Sequence, residues 1–277
     1  MRRLIINADD CGVNAPRTHA IFTCMEEGIV TSTTVLPNMP DALHAARKIK
    51  ERDISAGLHI NLTEGSALTA ERDVLSLLDT RGYLLGRKRL FEALEEGVIA
   101  VEHIEREIRS QIEWYFDHAG MPTHCDSHHN VHVHPTIAPL IGPILSRYGI
   151  GKVRVAIETL DRLPWEISAE RRAFIEQMNI WGSAAKRIFE SQDLHTTDHF
   201  RGFAFSGQAN ARRLRHLLAA LPEGTTELMV HPGTCDPLGD DFSRDPQRET
   251  ERNMLLDPEL PAYLGSRGIE LIGFGDL

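Results

Sequence analysis

The sequence predicts an α/β fold built on a parallel sheet, either a barrel or a doubly wound sheet, and three observations lead there. Short apolar runs of strand length alternate with segments of helical periodicity from one end of the 277 residues to the other. Strands that alternate with helices pair in parallel, each helix crossing back over a face of the sheet. Carboxylates and imidazoles follow directly on four of the runs, as they do where ligands sit at the carboxyl rim of a parallel sheet. No linker or internal repeat divides the chain, so a single domain over 1–277 is expected.

Taken in order, the first strand candidate is 4–8, where Leu4, Ile5 and Ile6 lead into Asn7 and Ala8. A helix over 15–27 follows, with Gly28 placed where a glycine closes a helix. Strands are then expected over 32–36 and 55–62. The clearest helix covers 101–118: Val101, Ile104, Ile108, Ile112 and Tyr115 recur at helical spacing, and Gly120 and Pro122 end it. Strands over 123–128 and 152–157 come next. Asn210 is placed to cap a helix running to 221, and strands over 227–231 and 270–274 complete the series. Two stretches, 65–97 and 158–207, are long, mixed and rich in charge, with Trp165 and Trp181 among them. Both read as elaborated loops near a site, since function in such folds gathers on loops.

Bulk properties narrow the class. Hydrophobic residues at 42% and charged residues at 25% suit a globular protein with a sizeable core. A formal charge of −10 argues against a protein that tracks nucleic-acid phosphates, whose footprint is basic. The apolar opening is too short for a secretory signal, and no run is long enough to span a bilayer. Four cysteines without a C-x-x-C pair are expected to be reduced thiols of a cytoplasmic protein. A homodimer is expected from base rates.

The chemistry sits at the strand ends. Run 4–8 leads into Asp9-Asp10-Cys11-Gly12, and run 55–62 carries His59-Ile60-Asn61. The next site segment is His124-Cys125-Asp126-Ser127-His128-His129-Asn130-Val131-His132-Val133-His134, and His231-Pro232-Gly233 follows the 227–231 run. Seven of the 14 histidines fall in these segments. Carboxylate with imidazole is the ligand set of zinc and related divalent metals. Adjacent carboxylates on a strand point opposite ways, so Asp9 and Asp10 are expected to divide the roles of metal ligand and proton acceptor. Any one of these features alone reads as a turn, a cap or a core histidine. Four at four strand ends point to one site. Cys11, Cys125 and Cys235 lie beside it but carry no cysteine-specific signature.

These segments resemble the YdjC-like carbohydrate deacetylases, the family that includes chitooligosaccharide deacetylases. The matching pieces are Asn7-Ala8-Asp9-Asp10-Cys11-Gly12, Gly28-Ile29-Val30-Thr31-Ser32-Thr33-Thr34, Gly57-Leu58-His59-Ile60-Asn61-Leu62-Thr63, Thr123-His124-Cys125-Asp126-Ser127-His128-His129 and His231-Pro232-Gly233. They stand in family order over nearly the whole chain. The resemblance implies a distorted (β/α) barrel related to polysaccharide deacetylases, with one divalent ion, zinc or magnesium. It implies Asp10, His59 and His128 as metal ligands, Asp9 as general base, and His231 as general acid or substrate contact. The implied reaction is hydrolysis of the acetamide of an N-acetylated sugar, with a small carbohydrate as partner and neither nucleic acid nor membrane involved. Asp126 is expected to orient a neighbouring imidazole. Two positions depart from the pattern: Cys11 stands where phenylalanine is usual, and Asn130 where a third consecutive histidine is frequent.

Two rival readings are carried forward. A barrel metallo-phosphoesterase would hold two or three metals. A non-catalytic metal- or sugar-binding protein would have no use for the unligated Asp9 beside Asp10.

Overall fold

The computed structural model describes residues 1–160 and 163–277. Of the stretch 158–207 read as loop, positions 161–162 therefore lie outside the described residues. The elements run β1 (Arg2–Cys11), α1 (Ala15–Glu26), β2 (Ser32–Val35), α2 (Ala42–Arg52), β3 (Ala56–Ile60), α3 (Arg87–Glu95), α4 (Val101–Ala119), β4 (Cys125–Ser127) and α5 (Ala138–Arg147). Then come α6 (Ala169–Glu190), β5 (His199–Arg201), α7 (Ala211–Ala219), β6 (Gly224–Val230), α8 (Asp241–Arg244), α9 (Gln247–Leu255), α10 (Leu260–Ser266) and β7 (Ile269–Leu271). Among the described residues no helix is long and apolar enough to cross a membrane.

Strand β1 is the axis. On one side it pairs with β6 from Arg2 to Ala8, and on the other with β7 over Arg2–Leu4 and then with β2 from Asn7 onward. The sheet order is β4-β3-β2-β1-β6-β5, and every pairing is parallel. Single bridges carry the ladder further, from Cys125 to Val153 and from Lys152 to His195. The segment beginning at His195 becomes β5, which returns to β6, so the pairings curl into a ring. The ring is thin where it closes: the run expected as a strand over 152–157 contributes only those isolated bridges. A barrel closed by single bridges is a distorted one.

The two faces of β1 explain its composition. Leu4, Ile6 and Ala8 enter the main core under the helices, whereas Ile5 joins a small inner cluster with Ile272 and Phe274. Fully burying a leucine or isoleucine contributes about 1.5–3 kcal/mol, so the outer face anchors the strand. Continuing along the inner face, alternate positions become polar: Asn7 and Asp9 follow Ile5, and Glu227 pairs in register with Ile5 on β6. The ring is therefore filled by apolar side chains at one end and charged ones at the other.

Helix ends follow local chemistry. The Asn14 side chain accepts from the Arg17 amide to start α1, Ser168 does so for α6, and Asn210 caps α7 as its position predicted. Gly120 ends α4 at φ 91°. Helix α6 corrects the loop expected over 158–207. Its buried stripe is Ile175, Met178, Gly182, Ala185 and Phe189, and two of those five carry little or no side chain, so the apolar period is faint in the sequence. A Cβ at Gly182 would come 3.1 Å from the Ile157 side chain, a tight contact that glycine avoids. The 65–97 stretch likewise contains α3.

Both stretches are tied down by a buried carboxylate. Glu107 of α4 accepts from the Leu68 and Thr69 amides, each at 3.0 Å, and from Gln111. Glu158 accepts from the Gly202 and Ala204 amides at 3.1 and 2.9 Å. Replacing Glu107 with alanine leaves two backbone amides and one N–H of the Gln111 side chain without their acceptor, and should cost about 2–4 kcal/mol. Urea unfolding monitored by circular dichroism would register this as a lowered midpoint. An unchanged midpoint would mean the loop is held by other contacts.

Candidate active site

One residue of irregularity at the end of β1 creates the site. Ala8 pairs with Thr33 and Cys11 with Val35, so three steps on β1 match two on β2. The extra residue is a bulge at Asp9–Asp10, and Asp10 adopts φ 67° in the left-handed region. Bulges re-aim side chains beside functional sites. Here the bulge lets two adjacent carboxylates enter one pocket on separate business.

Asp10 turns to the imidazoles. Its Oδ1 lies 2.9 Å from His128 Nδ1 and 3.3 Å from His59 Nε2, while Oδ2 accepts from Arg17 at 2.9 Å. The far nitrogen of His59 is 2.6 Å from Asp126 Oδ1 and 3.1 Å from the Thr34 hydroxyl. Facing a carboxylate at that distance, Nδ1 carries a proton, while Nε2 is the nitrogen turned to Asp10. This is the partnership of Asp126 with an imidazole expected from the sequence.

The donor set fits a divalent cation. The coordinating atoms of Asp10, His59 and His128 all lie within 4.8 Å of one another. Two ring nitrogens converge on Asp10 Oδ1, so lone pairs meet there wherever neither a proton nor a cation lies between them. A proton on each ring, or one cation among the three residues, relieves that repulsion. The pKa values show the demand. Burial lowers His59, yet Asp126 and Asp10 push it up to about 10; burial lowers His128, yet Asp10 pushes it up to about 9. One carboxylate with two imidazoles is zinc chemistry more than magnesium chemistry.

Asp9 is held elsewhere. Arg154 grips it through two bonds of 2.6 and 2.7 Å, and the Asn7 amide adds a third at 2.8 Å. The same guanidinium reaches Asp126 Oδ2 at 2.7 Å and Glu227 Oε1 at 2.6 Å. Arg154 is completely buried, with Glu227 and Asp126 equally so. One guanidinium faces three carboxylates, and the surplus negative charge falls on Glu227. Burial pushes its carboxyl up to about 7 against the pull of Arg154, and its Oε2 has no hydrogen-bond partner among the described residues. Burial also raises Asp126, but Arg154 and His59 outweigh it and hold the group well below the ordinary carboxylate range.

His231 closes the far side of the same pocket, which Asp9, Asp10, His59 and His128 also line. Its amide donates to Glu251 at 2.7 Å, and its carbonyl accepts from Arg248 at 2.8 Å. Arg248 and Glu251 are themselves paired at 2.9 Å and fully buried, so one ion pair clamps the backbone of His231 on both sides. Phe242 meets its ring edge-on at 5.4 Å between centroids. Burial lowers the His231 pKa, although Asp10 and Asp9 draw it back, and Nδ1 has no hydrogen-bond partner among the described residues.

The other expected features separate. Of the seven histidines, His129 joins His59, His128 and His231 in the pocket. His132 instead holds Ser127 and the Arg154 carbonyl at 2.5 and 2.9 Å. His134 packs on Phe91 and Trp181, and His124 stacks on Phe274 at 3.6 Å. Cys11 and Cys125 are buried, and burial pushes the Cys11 thiol up to about 12 and Cys125 well above its ordinary value, which disfavours a thiolate at either position. Cys11 packs in the core, and Asn130 lines the pocket with His129, both at φ near 55°. Arg154, Glu227, Arg17 and the Arg248–Glu251 pair were not anticipated. Glu227 carried a signal, a charge in the body of an apolar strand. Arg154 carried little, being one arginine among several.

Comparison with known proteins adds the following. The profile of the YdjC-like protein family matches residues 3–266. A carbohydrate deacetylase of Mus musculus is 33% identical, with 99% of this chain and 94% of that protein covered. One from Geobacillus stearothermophilus is 32% identical over 99% of this chain and 97% of its own. The crystal structure of a putative cellobiose-phosphate cleavage protein from Enterococcus faecalis V583 superposes with a TM-score of 0.79 at 24% identity, covering 99% of this chain and 98% of that one. It has the same fold.

Glu227 yields a pH prediction. Its folded pKa of about 7 stands above the unfolded value of about 4.3, so its contribution to stability is complete below the lower value. That contribution is lost as pH rises through the higher one. Glu227→Gln, which cannot ionise, should lose less thermal stability than the parent between pH 5 and pH 8. Equal losses in both proteins would show that Glu227 is charged throughout.

Proposed function

This chain belongs to the YdjC-like protein family, and from that membership we propose that it is a carbohydrate deacetylase that hydrolyses the acetamide of an N-acetylated sugar to acetate and an amino sugar. The observation that carries the reading is the division of labour at the bulge: Asp10 faces two imidazoles, while Asp9 is pinned by Arg154 with its carboxylate on the same pocket. Similarity to proteins named carbohydrate deacetylases over almost the whole chain supports the substrate class.

Asp10, His59 and His128 would hold one divalent ion, which when bound supplies Lewis acidity and acidifies a water molecule. Asp9 is the general base. Its two oxygens are oriented by Arg154, and a carboxylate so held meets an attacking water without reorganising. Asp126 fixes the His59 ring and its tautomer through Nδ1, leaving Nε2 free on the pocket side. His231 protonates the leaving nitrogen, because an amine departs far more readily than an amide anion. Its lowered pKa makes the protonated ring a strong acid and thins its population as pH rises.

One observation speaks to the two-metal phosphoesterase. Glu64, His128 and His129 form a second group of suitable donors. It shares His128, whose Nδ1 faces Asp10 and whose Nε2 faces Glu64. Filling both groups would require a doubly deprotonated bridging imidazole, so a single ion is favoured.

Acetate release from diacetylchitobiose and N-acetylglucosamine should vanish in chelator-treated protein and return with zinc or cobalt, at one ion per chain by elemental analysis. Release that survives complete metal removal would overturn the metal assignment, and no release with any metal would remove these sugars as substrates. Asp9→Asn should lower kcat at least about 100-fold while the bound metal stays at parent stoichiometry. His231→Asn should lower kcat by a similar factor with little change in KM. Parent-like turnover in either variant would remove that residue from its role.

A further inference from the structure

Asp10 is fastened from two sides, and the hydrolytic reading uses only one of them. Its Oδ1 faces the rings of His59 and His128, whereas Oδ2 accepts from Arg17 at 2.9 Å. Arg17 is buried and is the third residue of α1, in a first turn that holds no acidic residue. Its other terminal nitrogen donates to the Ser243 hydroxyl of α8 at 3.1 Å, and its guanidinium lies 4.9 Å from the centre of the Phe242 ring. The Asn14 side chain accepts from its backbone amide, so the cap of α1 and this guanidinium are fixed together.

The placement is unfavourable for an arginine in three ways. A cation at the start of a helix meets the positive end of the dipole. Burial lowers the Arg17 pKa, Asp10 draws it up, and Arg248 lowers it again. The guanidinium also sits on the one anionic ligand of the candidate metal site, where its charge opposes that of the ion. What the contact supplies is control of Asp10. A carboxylate can offer a divalent ion one oxygen or both. With Oδ2 held by Arg17, only Oδ1 is left, and it already points at the two imidazoles. Turning Oδ2 towards the ion would strip a buried guanidinium of the one ion-pair partner it has among the described residues.

We propose that Arg17 is a positioning residue that confines Asp10 to a single oxygen donor, so that the ion keeps a position open for water and substrate. The inference rests on Asp10, His59 and His128 being the metal ligands of the deacetylase reading. Each of the three then gives one donor atom. Three protein donors and an open position mark a zinc site that works on a substrate, and a closed set of donors marks a structural one. A fourth donor from Oδ2 would move this site towards the closed kind. Arg17 therefore loosens the hold on the ion and keeps the centre open.

Zinc affinity by chelator competition, cobalt absorption and turnover are to be compared in the parent, Arg17→Met, Arg17→Gln and Arg17→Lys. With the cationic donor gone, the Met and Gln variants should hold zinc about tenfold more tightly while kcat falls about tenfold or more. A merely structural role predicts the opposite sign, because losing a partner that orients a ligand costs about 10–100-fold in metal affinity. Loaded with cobalt, both neutral variants should absorb more weakly in the visible per ion, as tetrahedral cobalt does when it gains a ligand. Arg17→Lys keeps a cationic donor for Oδ2 and should restore the parent spectrum and most of the turnover. Weaker zinc binding in the neutral variants, or a cobalt spectrum like the parent's, would overturn the assignment. Should neither neutral variant fold, a crystal structure of the zinc-loaded parent decides. One Asp10 oxygen on the ion and the other on Arg17 is the expected result, and both oxygens on the ion would sink the inference. A parent that takes up neither zinc nor cobalt would instead remove the metal reading beneath it.

Discussion

A single buried guanidinium governs this molecule. Arg154 lies inside the ring of strands with no solvent contact, and three carboxylates from β1, β4 and β6 close on it. Leaving any buried charge unpaired costs several kcal/mol, so these strands are locked in mutual register by charge as well as by their ladders. Asp9 owes its orientation to that bond. Asp126 is divided between Arg154 and His59, so the same network that aims the candidate base also fixes the tautomer of a candidate metal ligand. The backbone of Arg154 is in turn supported by His132. The candidate catalytic groups and the strand register share one set of bonds.

The second constraint is the bulge. In a regular strand Asp9 and Asp10 would project to opposite faces, one inward and one into the helix layer, where Ala8 and Cys11 pack. An inserted residue and a left-handed Asp10 bring both to the pocket. An aspartate tolerates that conformation better than a β-branched residue would, and its three polar partners, His59, His128 and Arg17, hold it there. Strain at this point is balanced by charge.

Much of this was legible in the residues, and the omissions have physical causes. Strand β1 advertises itself because apolar side chains, Leu4 and Ile6 on one face and Ile5 on the other, are buried on both faces. Helix α4 was plain because its stripe is large and aliphatic. Helix α6 was hidden because its buried stripe includes Gly182 and Ala185, which contribute little or no side chain to the apolar period. Strand β5 spans three residues, too few for any period to develop. The histidine-rich segment overstated itself: His124, His132 and His134 are scaffold, stacked or hydrogen-bonded inside, and a side chain's direction along an irregular turn is not written in its spacing.

The sequence by itself determined the parallel α/β class, the strand ends at which chemistry would gather, and the residue types Asp, His and His that suit a divalent ion. Those follow from local periodicity and from ligand chemistry, which neighbours along the chain suffice to express. Only the tertiary structure decided which imidazole faces which carboxylate, that Asp9 is held by Arg154, and that His231 lines the same pocket as His59 and His128. Each of these joins residues from separate strands or helices, tens to well over a hundred positions apart. Their energies depend on distance and burial in three dimensions, and separation along the chain encodes neither.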